Sequence, residues 1–101
     1  MLVSFSIFPV GRATSLSKEV AKIIDIIDKS GLKYKTSAMS TTIEGDWDEI
    51  MAVINKCRLK LRQKNDRVYL NLVMDDRKGA RNRLTGKIDS LEKKLKREIS
   101  K

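Results

Sequence analysis

Apolar residues recur along this chain with two different periods, and the order of those periods constrains the fold more than any other feature. In LVSFSIFPV, Val3, Phe5 and Ile7 alternate with polar side chains, which is the period of a half-buried strand. RVYLNLVMD, much later in the chain, alternates in the same way. Two stretches of helical spacing lie between them, separated by a short polar segment.

Both helical stretches carry boundary signals. The first helix is predicted over residues 16 to 30, with Gly31 in the left-handed conformation after its end. The second helix is predicted to begin at Asp46, with Glu49 three residues later completing a capping box. The predicted apolar stripes are Val20, Ile23, Ile24 and Ile27 in the first helix, and Trp47, Ile50, Met51, Ile54, Cys57 and Leu61 in the second.

The segment between the helices predicts a hairpin, because KYKTS and STTIEG flank a turn at Ala38 and Met39. The resulting order of strand, helix, strand, strand, helix, strand predicts an α+β protein. We expect a single ferredoxin-like domain over residues 1–101, a βαββαβ sandwich with an antiparallel sheet and helices on one face. An additional C-terminal helix is predicted over 84–101, with a narrow apolar stripe at Leu84, Ile88, Leu91, Leu95 and Ile99.

Composition narrows the classes of function. The single cysteine, Cys57, excludes an internal disulfide and favours a reducing, cytoplasmic location. No apolar run is long enough to predict a membrane span. The net charge of +9 in 101 residues raises RNA binding as an alternative. The last strand lacks the RNA-recognition signature, however, and only Tyr69 is placed to stack on a base, so a nucleic-acid partner is not expected.

The side of the sheet that faces away from the helices is the predicted ligand site. Strand alternation places there small hydroxyls, a carboxylate, an amide and one aromatic ring, which suit a polar heterocycle. The alternative is that this side only meets water or a second subunit, and that Glu44 only places a charge ahead of the second helix. The residues predicted to point this way are Ser4, Ser6, Thr42, Glu44, Tyr69 and Asn71.

Catalysis and metal binding have little support in the sequence. The chain has no histidine to act as a base near neutral pH, and Cys57 lies on an apolar stripe typical of a core residue. Asp75, Asp76 and Arg77 are typical of a strand-end ion-pair motif. An acylphosphatase-like enzyme is a further alternative, and it rests only on Arg12 near the end of the first predicted strand. We therefore expect no enzyme activity, no metal and no required cofactor.

Several motifs together resemble the small thiamine-binding protein family, which is related to the YkoF superfamily. They are FPVG, SLSKEVAKIIDIIDKSGLKYKT, MSTTIEGDWDEIM, RVYLNLVMDDR and GKIDSLEKKL, which cover nearly the whole chain. The sequence departs from the family pattern at Ala38 and Ser40. The resemblance implies a ligand role for Thr41 as well, and because Thr41 falls on the side of Ile43, that role requires a bulge in the strand.

The resemblance implies a non-enzymatic carrier or sensor that binds thiamine or a pyrimidine precursor of the hydroxymethylpyrimidine type. It also implies a homodimer or a dimer-of-dimers tetramer. The residues support self-association independently, because Phe8, Tyr69 and Val73 add apolar area to the predicted uncovered side of the sheet. The stripe on the predicted C-terminal helix is a second surface that needs a cover, and two such surfaces permit a tetramer.

Overall fold

The structure is a computed structural model that describes residues 1–11, 16–79 and 84. Within these residues the elements follow one another as strand, helix, strand, strand, helix, strand. They are β1 (Leu2–Pro9), α1 (Leu16–Lys29), β2 (Lys33–Thr36), β3 (Thr41–Glu44), α2 (Trp47–Arg62) and β4 (Val68–Asp75).

The four strands form one antiparallel sheet in the order β2-β3-β1-β4. Strand β1 lies between β3, where Val3 is opposite Ile43, and β4, where Phe5 is opposite Leu72. Strands β2 and β4 are the two edges of this sheet. The predicted α+β class is therefore confirmed as a four-stranded antiparallel sheet with two helices, an arrangement consistent with a ferredoxin-like fold.

The core lies between one face of the sheet and the two helices. Val3, Phe5 and Ile43 supply the sheet side and are almost fully buried. Burying an aliphatic or aromatic side chain of this size contributes about 1.5–3 kcal/mol, so this layer fixes the face on which the helices pack. The helices complete the core with Ile23 and Ile27 of α1 and Ile50, Val53, Ile54, Cys57 and Leu61 of α2.

The predicted helix boundaries are confirmed by the backbone. Gly31 has a φ of +79°, a conformation that glycine adopts without strain, and it follows the end of α1 at Lys29. At the start of α2, the backbone N–H of Asp46 donates to Glu49 Oε1 at 3.2 Å. This bond satisfies a donor that a helix start would otherwise leave unpaired.

Two residues assigned to the apolar stripes are in fact exposed, Trp47 at 54% and Val20 at 50%. Trp47 is the first residue of α2, and helical side chains lean toward the N-terminus, so its ring points beyond the core. Among residues 17–29 of α1 the buried positions are Glu19, Ile23 and Ile27, four residues apart. The buried face of α1 is thus centred on Ile23 and Ile27, as predicted, but it extends to Glu19 rather than to Val20, which lies at its exposed edge.

Some predictions lie outside the described residues. These include the C-terminal helix over 84–101, of which the structure describes only Leu84, and the loop position of Arg12. Leu84 is helical and half-buried.

Candidate functional site

Six of the seven predicted ligand residues lie on the face of the sheet opposite the core. We call this surface the open face, because neither α1 nor α2 packs on it. The strand registers place on it Ser4, Ser6 and Phe8 of β1, Lys33 and Lys35 of β2, Thr42 and Glu44 of β3, and Tyr69, Asn71 and Val73 of β4. The sheet therefore brings together the hydroxyls, the carboxylate, the amide and the aromatic ring, as predicted from alternation.

Hydroxyl groups form a short row across the centre of the open face. Ser4 lies between Thr42 on β3 and Val73 on β4, and Ser6 lies opposite Asn71. The Ser4 hydroxyl donates to Ser40 Oγ at 3.1 Å, which adds Ser40 to the row just before β3 begins. Each hydroxyl is both donor and acceptor, so such a row can match a ligand edge of either polarity.

Glu44 stands at one end of this row and is half-buried. It lies opposite Leu2 on β1 and opposite Lys33 on β2. Its Oε1 accepts a hydrogen bond from the backbone N–H of Leu84 at 3.5 Å. Residue 84 therefore reaches the open face at this carboxylate, and Glu44 is linked to a segment that the strand pattern did not connect with the site.

An aromatic pair occupies the opposite end of the face. The rings of Phe8 and Tyr69 stack with centroids 5.4 Å apart and planes at 29°. Both remain partly exposed, at 41% and 49%. Val73, four residues further along β4 and opposite Ser4, is 67% exposed. One face of the Tyr69 ring is thus covered by Phe8, which leaves its other face for a ligand or a second subunit.

Lys33 and Lys35 were not predicted to be part of this surface. Both are exposed, and they share the open face because Tyr34 between them lies opposite Ile43 on the core side. The alternation of β2 could have placed them there, since Tyr34 is the one large apolar residue in KYKTS. Their charge makes the β2 edge of the face basic.

Thr41 does not join the open face. The register of β3 continues without a bulge from Thr41 opposite Phe5 to Glu44 opposite Leu2, so Thr41 points to the side of Ile43. Its side chain is 7% exposed, and its Oγ1 lies 3.2 Å from Thr36 Oγ1. The bulge required to bring Thr41 beside Thr42 is absent from β3.

Thr41 instead borders a cavity of about 140 Å³ between the β2–β3 hairpin and α1, which we call the hairpin cavity. The turn above it is closed by a hydrogen bond from the Ser37 backbone N–H to Ser40 O at 2.8 Å. Ser37 Oγ donates to the same carbonyl at 3.0 Å. The described lining residues are Phe5, Ser6, Ile7, Val20, Ile23, Ile24, Thr36, Ser37, Ala38, Met39, Ser40 and Thr41.

Cys57 is unsuited to nucleophilic chemistry. It is fully buried in the core, and burial in apolar surroundings raises the pKa of its thiol to about 11. Within residues 1–11, 16–79 and 84, no three acidic, cysteine or histidine side chains are grouped to hold a metal ion. The same residues include no helix that is long and apolar enough to cross a membrane.

The strand-end motif follows the open face. Asp75 is the last residue of β4 and lies opposite Leu2, and Asp76 and Arg77 are exposed beyond the strand. Asp75 is therefore two residues along β4 from Val73 and on the same face. The sequence order alone did not establish that this carboxylate lies near the predicted site.

The fold and the polar face define a small α+β domain with a concentrated set of uncharged hydrogen-bonding groups on one side of its sheet. Residues 3–92 match the model of the thiamine-binding protein family. This chain belongs to that family.

Relatives and solved structures support the same grouping. The UPF0045 protein MJ1052 of Methanocaldococcus jannaschii is 35% identical over 91 residues, covering 90% of this chain and 91% of that protein. A crystal structure of MJ1052 superposes with a TM-score of 0.80 over 89% of this chain and 93% of its own. A UPF0045 protein of Mycobacterium bovis, Mb1933, is 35% identical over 96% of both chains.

A further solved structure carries a functional description. It is a Thermotoga maritima protein assigned provisionally to thiamine biosynthesis or salvage, 27% identical, with a TM-score of 0.77 over 89% of this chain and 96% of its own. The RNA-binding alternative gains no support from these similarities.

Proposed function

We propose that this protein is a non-enzymatic binding protein for thiamine or a hydroxymethylpyrimidine-like molecule, and that it acts as a homo-oligomer in the cytoplasm. The observation that carries the proposal is the convergence of Ser4, Ser6, Thr42 and Glu44 on one sheet face in a chain that matches the thiamine-binding family. The absence of histidine and the buried, protonated Cys57 thiol favour binding over catalysis.

The chemistry of the open face suits an aminopyrimidine. The ring has an amino donor and nitrogen acceptors, and the Glu44 carboxylate with the hydroxyls of Thr42 and Ser6 provides the complementary acceptor and donors. Tyr69 and Asn71 lie toward the other end of the face, and Tyr69 is six residues of β1, or roughly 20 Å, from Glu44. They would therefore contact a different part of the ligand, or a second ligand, rather than the same ring. The Glu44 carboxylate also attracts the thiazolium cation of thiamine. The protein's positive charges repel this cation, but at ordinary salt screening weakens the repulsion from charges more than about 10 Å away.

Self-association follows from the same surface. Phe8 and Tyr69 at one end of the open face and Val73 near its centre expose apolar area, which an isolated small domain seldom leaves uncovered. A second copy related by a two-fold axis would bury the patch against itself. If the second copy covers the whole open face, a ligand held by Glu44 and Thr42 lies within the subunit contact, and ligand binding then stabilises the oligomer by mass action.

Calorimetric titration with thiamine and with hydroxymethylpyrimidine tests the binding function. We expect saturable binding of both by the wild-type protein, and weaker binding by Glu44→Gln. A hydrogen bond to a charged group contributes about 1.5–3 kcal/mol, which corresponds to a loss of roughly 10- to 150-fold in affinity. The Gln amide keeps an oxygen acceptor for the Leu84 N–H, so the change tests charge rather than folding.

Asp48→Asn is the matched control, because it removes one carboxylate from an exposed position in the first turn of α2. It should bind both ligands as the wild type does. Failure of the wild-type protein to bind either ligand at millimolar concentration would remove the proposed function. Equal binding by wild type and Glu44→Gln would remove only the role assigned to Glu44.

A further inference from the structure

Two lysines border the part of the open face that carries Glu44 and Thr42. Lys33 and Lys35 are two residues apart on β2, so their side chains leave the sheet on the same side, with Cα atoms about 6.6 Å apart. The register places Lys33 opposite Glu44, and Lys35 lies opposite Thr42. Both lysines are exposed. Their long, flexible side chains can therefore bring both ammonium groups to one anionic group above β2.

The two lysines differ in their neighbours across the sheet. Lys33 faces the Glu44 carboxylate, which offsets part of its positive charge. The residues in the row that continues from Lys35 are uncharged, and they are Thr42, Ser4 and Val73. Lys35 is thus the stronger source of positive potential at this edge of the face.

A phosphate attached to the proposed ligand would reach this edge. In the proposed function, Glu44 and Thr42 hold the pyrimidine ring over β3, and β2 is the next strand, about 4.8 Å away. The carbon and the oxygen that join the ring to the phosphorus of its hydroxymethyl ester span a distance of this size. The phosphate would then lie between Lys33 and Lys35, whose ammonium groups act as point charges on the phosphate oxygens.

Carboxylates limit the size of the anion that the face can bind. Glu44 and Asp75 lie opposite Leu2 on its two neighbouring strands. Both carboxylates therefore share a row with Lys33. A nucleic-acid chain laid across the face would bring further phosphates close to these carboxylates, and like charges repel. The charges of the face therefore suit a single phosphate on an uncharged ring, held at the β2 edge.

We propose that the β2 edge of the open face is a phosphate subsite, and that the protein binds the phosphate monoester of its pyrimidine ligand more tightly than the free alcohol. Lys35 contacts the phosphate. Lys33 contacts it as well and reduces the repulsion between the phosphate and the Glu44 carboxylate. This inference rests on the proposed function, because it uses the ring position that Glu44 and Thr42 define.

Exposed lysines on an edge strand also prevent its pairing with the edge of another sheet. That role would not make a phosphate ester bind differently from the alcohol. A comparison of the two ligands on the same protein therefore separates phosphate recognition from protection of the edge.

Calorimetric titration with hydroxymethylpyrimidine and with its phosphate ester tests the subsite. At low salt we expect the wild-type protein to bind the ester about tenfold more tightly, and this preference should shrink as salt is added, because both lysines are exposed. Lys35→Met keeps the apolar part of the side chain and removes the charge. It should weaken the ester by about two- to fivefold and leave the alcohol unchanged.

Lys35→Arg and Lys60→Met are the matched controls. The arginine keeps the positive charge and should retain most of the preference for the ester. Lys60 is an exposed lysine of α2, on the other side of the sheet, so its replacement should change neither affinity. Lys60→Met thus shows how much of the preference comes from the overall positive charge of the protein.

Equal affinities for the ester and the alcohol in the wild type would overturn the inference and leave the proposed function intact. The same conclusion would follow if the preference survived in Lys35→Met, or if Lys35→Met and Lys60→Met reduced it equally. An equal loss of both ligands in Lys35→Met would indicate damage to the ring site and would also overturn the role of Lys35. If the wild type bound neither ligand at millimolar concentration, the proposed function would fail together with the inference.

Discussion

Thr41 and Thr42 are neighbours of the same type in one short strand, yet they belong to two different environments. Thr41 is buried on the core side, where its hydroxyl is bonded to Thr36 beside an aliphatic wall. Thr42 is half-buried on the open face among serines, lysines and a carboxylate. The comparison shows that in a strand the face, rather than the residue type, decides what a hydroxyl can do.

The two faces also differ in what holds them together. The core side is closed by two helices and contains side chains with no solvent exposure, such as Ile43 and Cys57. The open face carries stacked but exposed rings and a row of hydroxyls. Stability should therefore depend mainly on the core side, and ligand binding and assembly mainly on the open face.

The largest expected effect is the loss of a core side chain from the sheet. Ile43→Ala should lower the free energy of unfolding by about 2–5 kcal/mol, because Ile43 has 0% exposure and the cavity left behind cannot fully collapse. Val73→Ala, on the open face, should change it by less than about 0.5 kcal/mol. Urea denaturation measures both, and similar losses in the two variants would break the comparison between the faces.

The next effect concerns the pH dependence of stability. In the unfolded chain the Cys57 thiol ionises from its ordinary pKa of 9.0, whereas in the fold its pKa is about 11. Unfolding therefore releases a proton in this window, and the contribution of the neutral thiol to stability is complete below about pH 9 and lost as pH rises toward about 11. The loss is at most about 3 kcal/mol.

Cys57→Ala provides the control, because it removes this titration and leaves the other groups in place. Denaturation at pH 8 and pH 10.5 should show a larger drop in stability for the wild type than for the variant. Equal drops would contradict the burial of the thiol. A thiol reagent should likewise react with Cys57 at pH 8 only after the protein is unfolded.

A smaller effect is expected from the aromatic pair on the open face. In a double-mutant cycle, Phe8→Ala and Tyr69→Ala should be coupled by about 0.5–1.5 kcal/mol, since the rings stack at 5.4 Å. The cycle should be run at a protein concentration at which the oligomeric state has been measured by light scattering. A coupling energy near zero would mean that the contact between the two rings does not stabilise the fold.

The last prediction concerns the oligomeric state, for which a direction of change is expected. Val73→Glu adds a charge at the most exposed apolar side chain of β4 on the open face and should reduce the particle size seen by light scattering. Lys35→Glu changes charge on the same face but at the opposite edge of the sheet, on β2, and should leave the particle size unchanged. A monomeric wild-type protein at micromolar concentration would contradict self-association through this face.

The periodicity of the apolar residues was sufficient to predict the helices and strands, because each helix or strand buries only one of its faces. The alternation in LVSFSIFPV and RVYLNLVMD placed Ser4, Ser6, Tyr69 and Asn71 correctly on one face. The limits of the buried helix face were less well determined. The edges of the apolar stripe of α1 are not set by its spacing, and only packing in the fold decides that Val20 is exposed and Glu19 is not.

Site geometry was harder to predict than the fold, because it depends on contacts between distant segments. The hairpin cavity needs β2, β3 and α1 to meet, and no local pattern shows that Thr36 and Thr41 form a pair beside Ile24. The contact between Glu44 and Leu84 joins residues 40 positions apart. The ligand role that the resemblance implies for Thr41 required a bulge to reach the open face, and the continuous register of β3 leaves this side chain on the core side.

The central claim is that this protein binds thiamine-like molecules through the hydroxyls and the carboxylate of its open face. Equilibrium dialysis with labelled thiamine, using wild type, Thr42→Val and Glu44→Gln, tests it most directly. We predict saturable uptake by the wild-type protein, displacement by unlabelled hydroxymethylpyrimidine, and reduced affinity in both variants. No saturable uptake by the wild type at millimolar thiamine, or uptake unchanged in both variants, would contradict the claim.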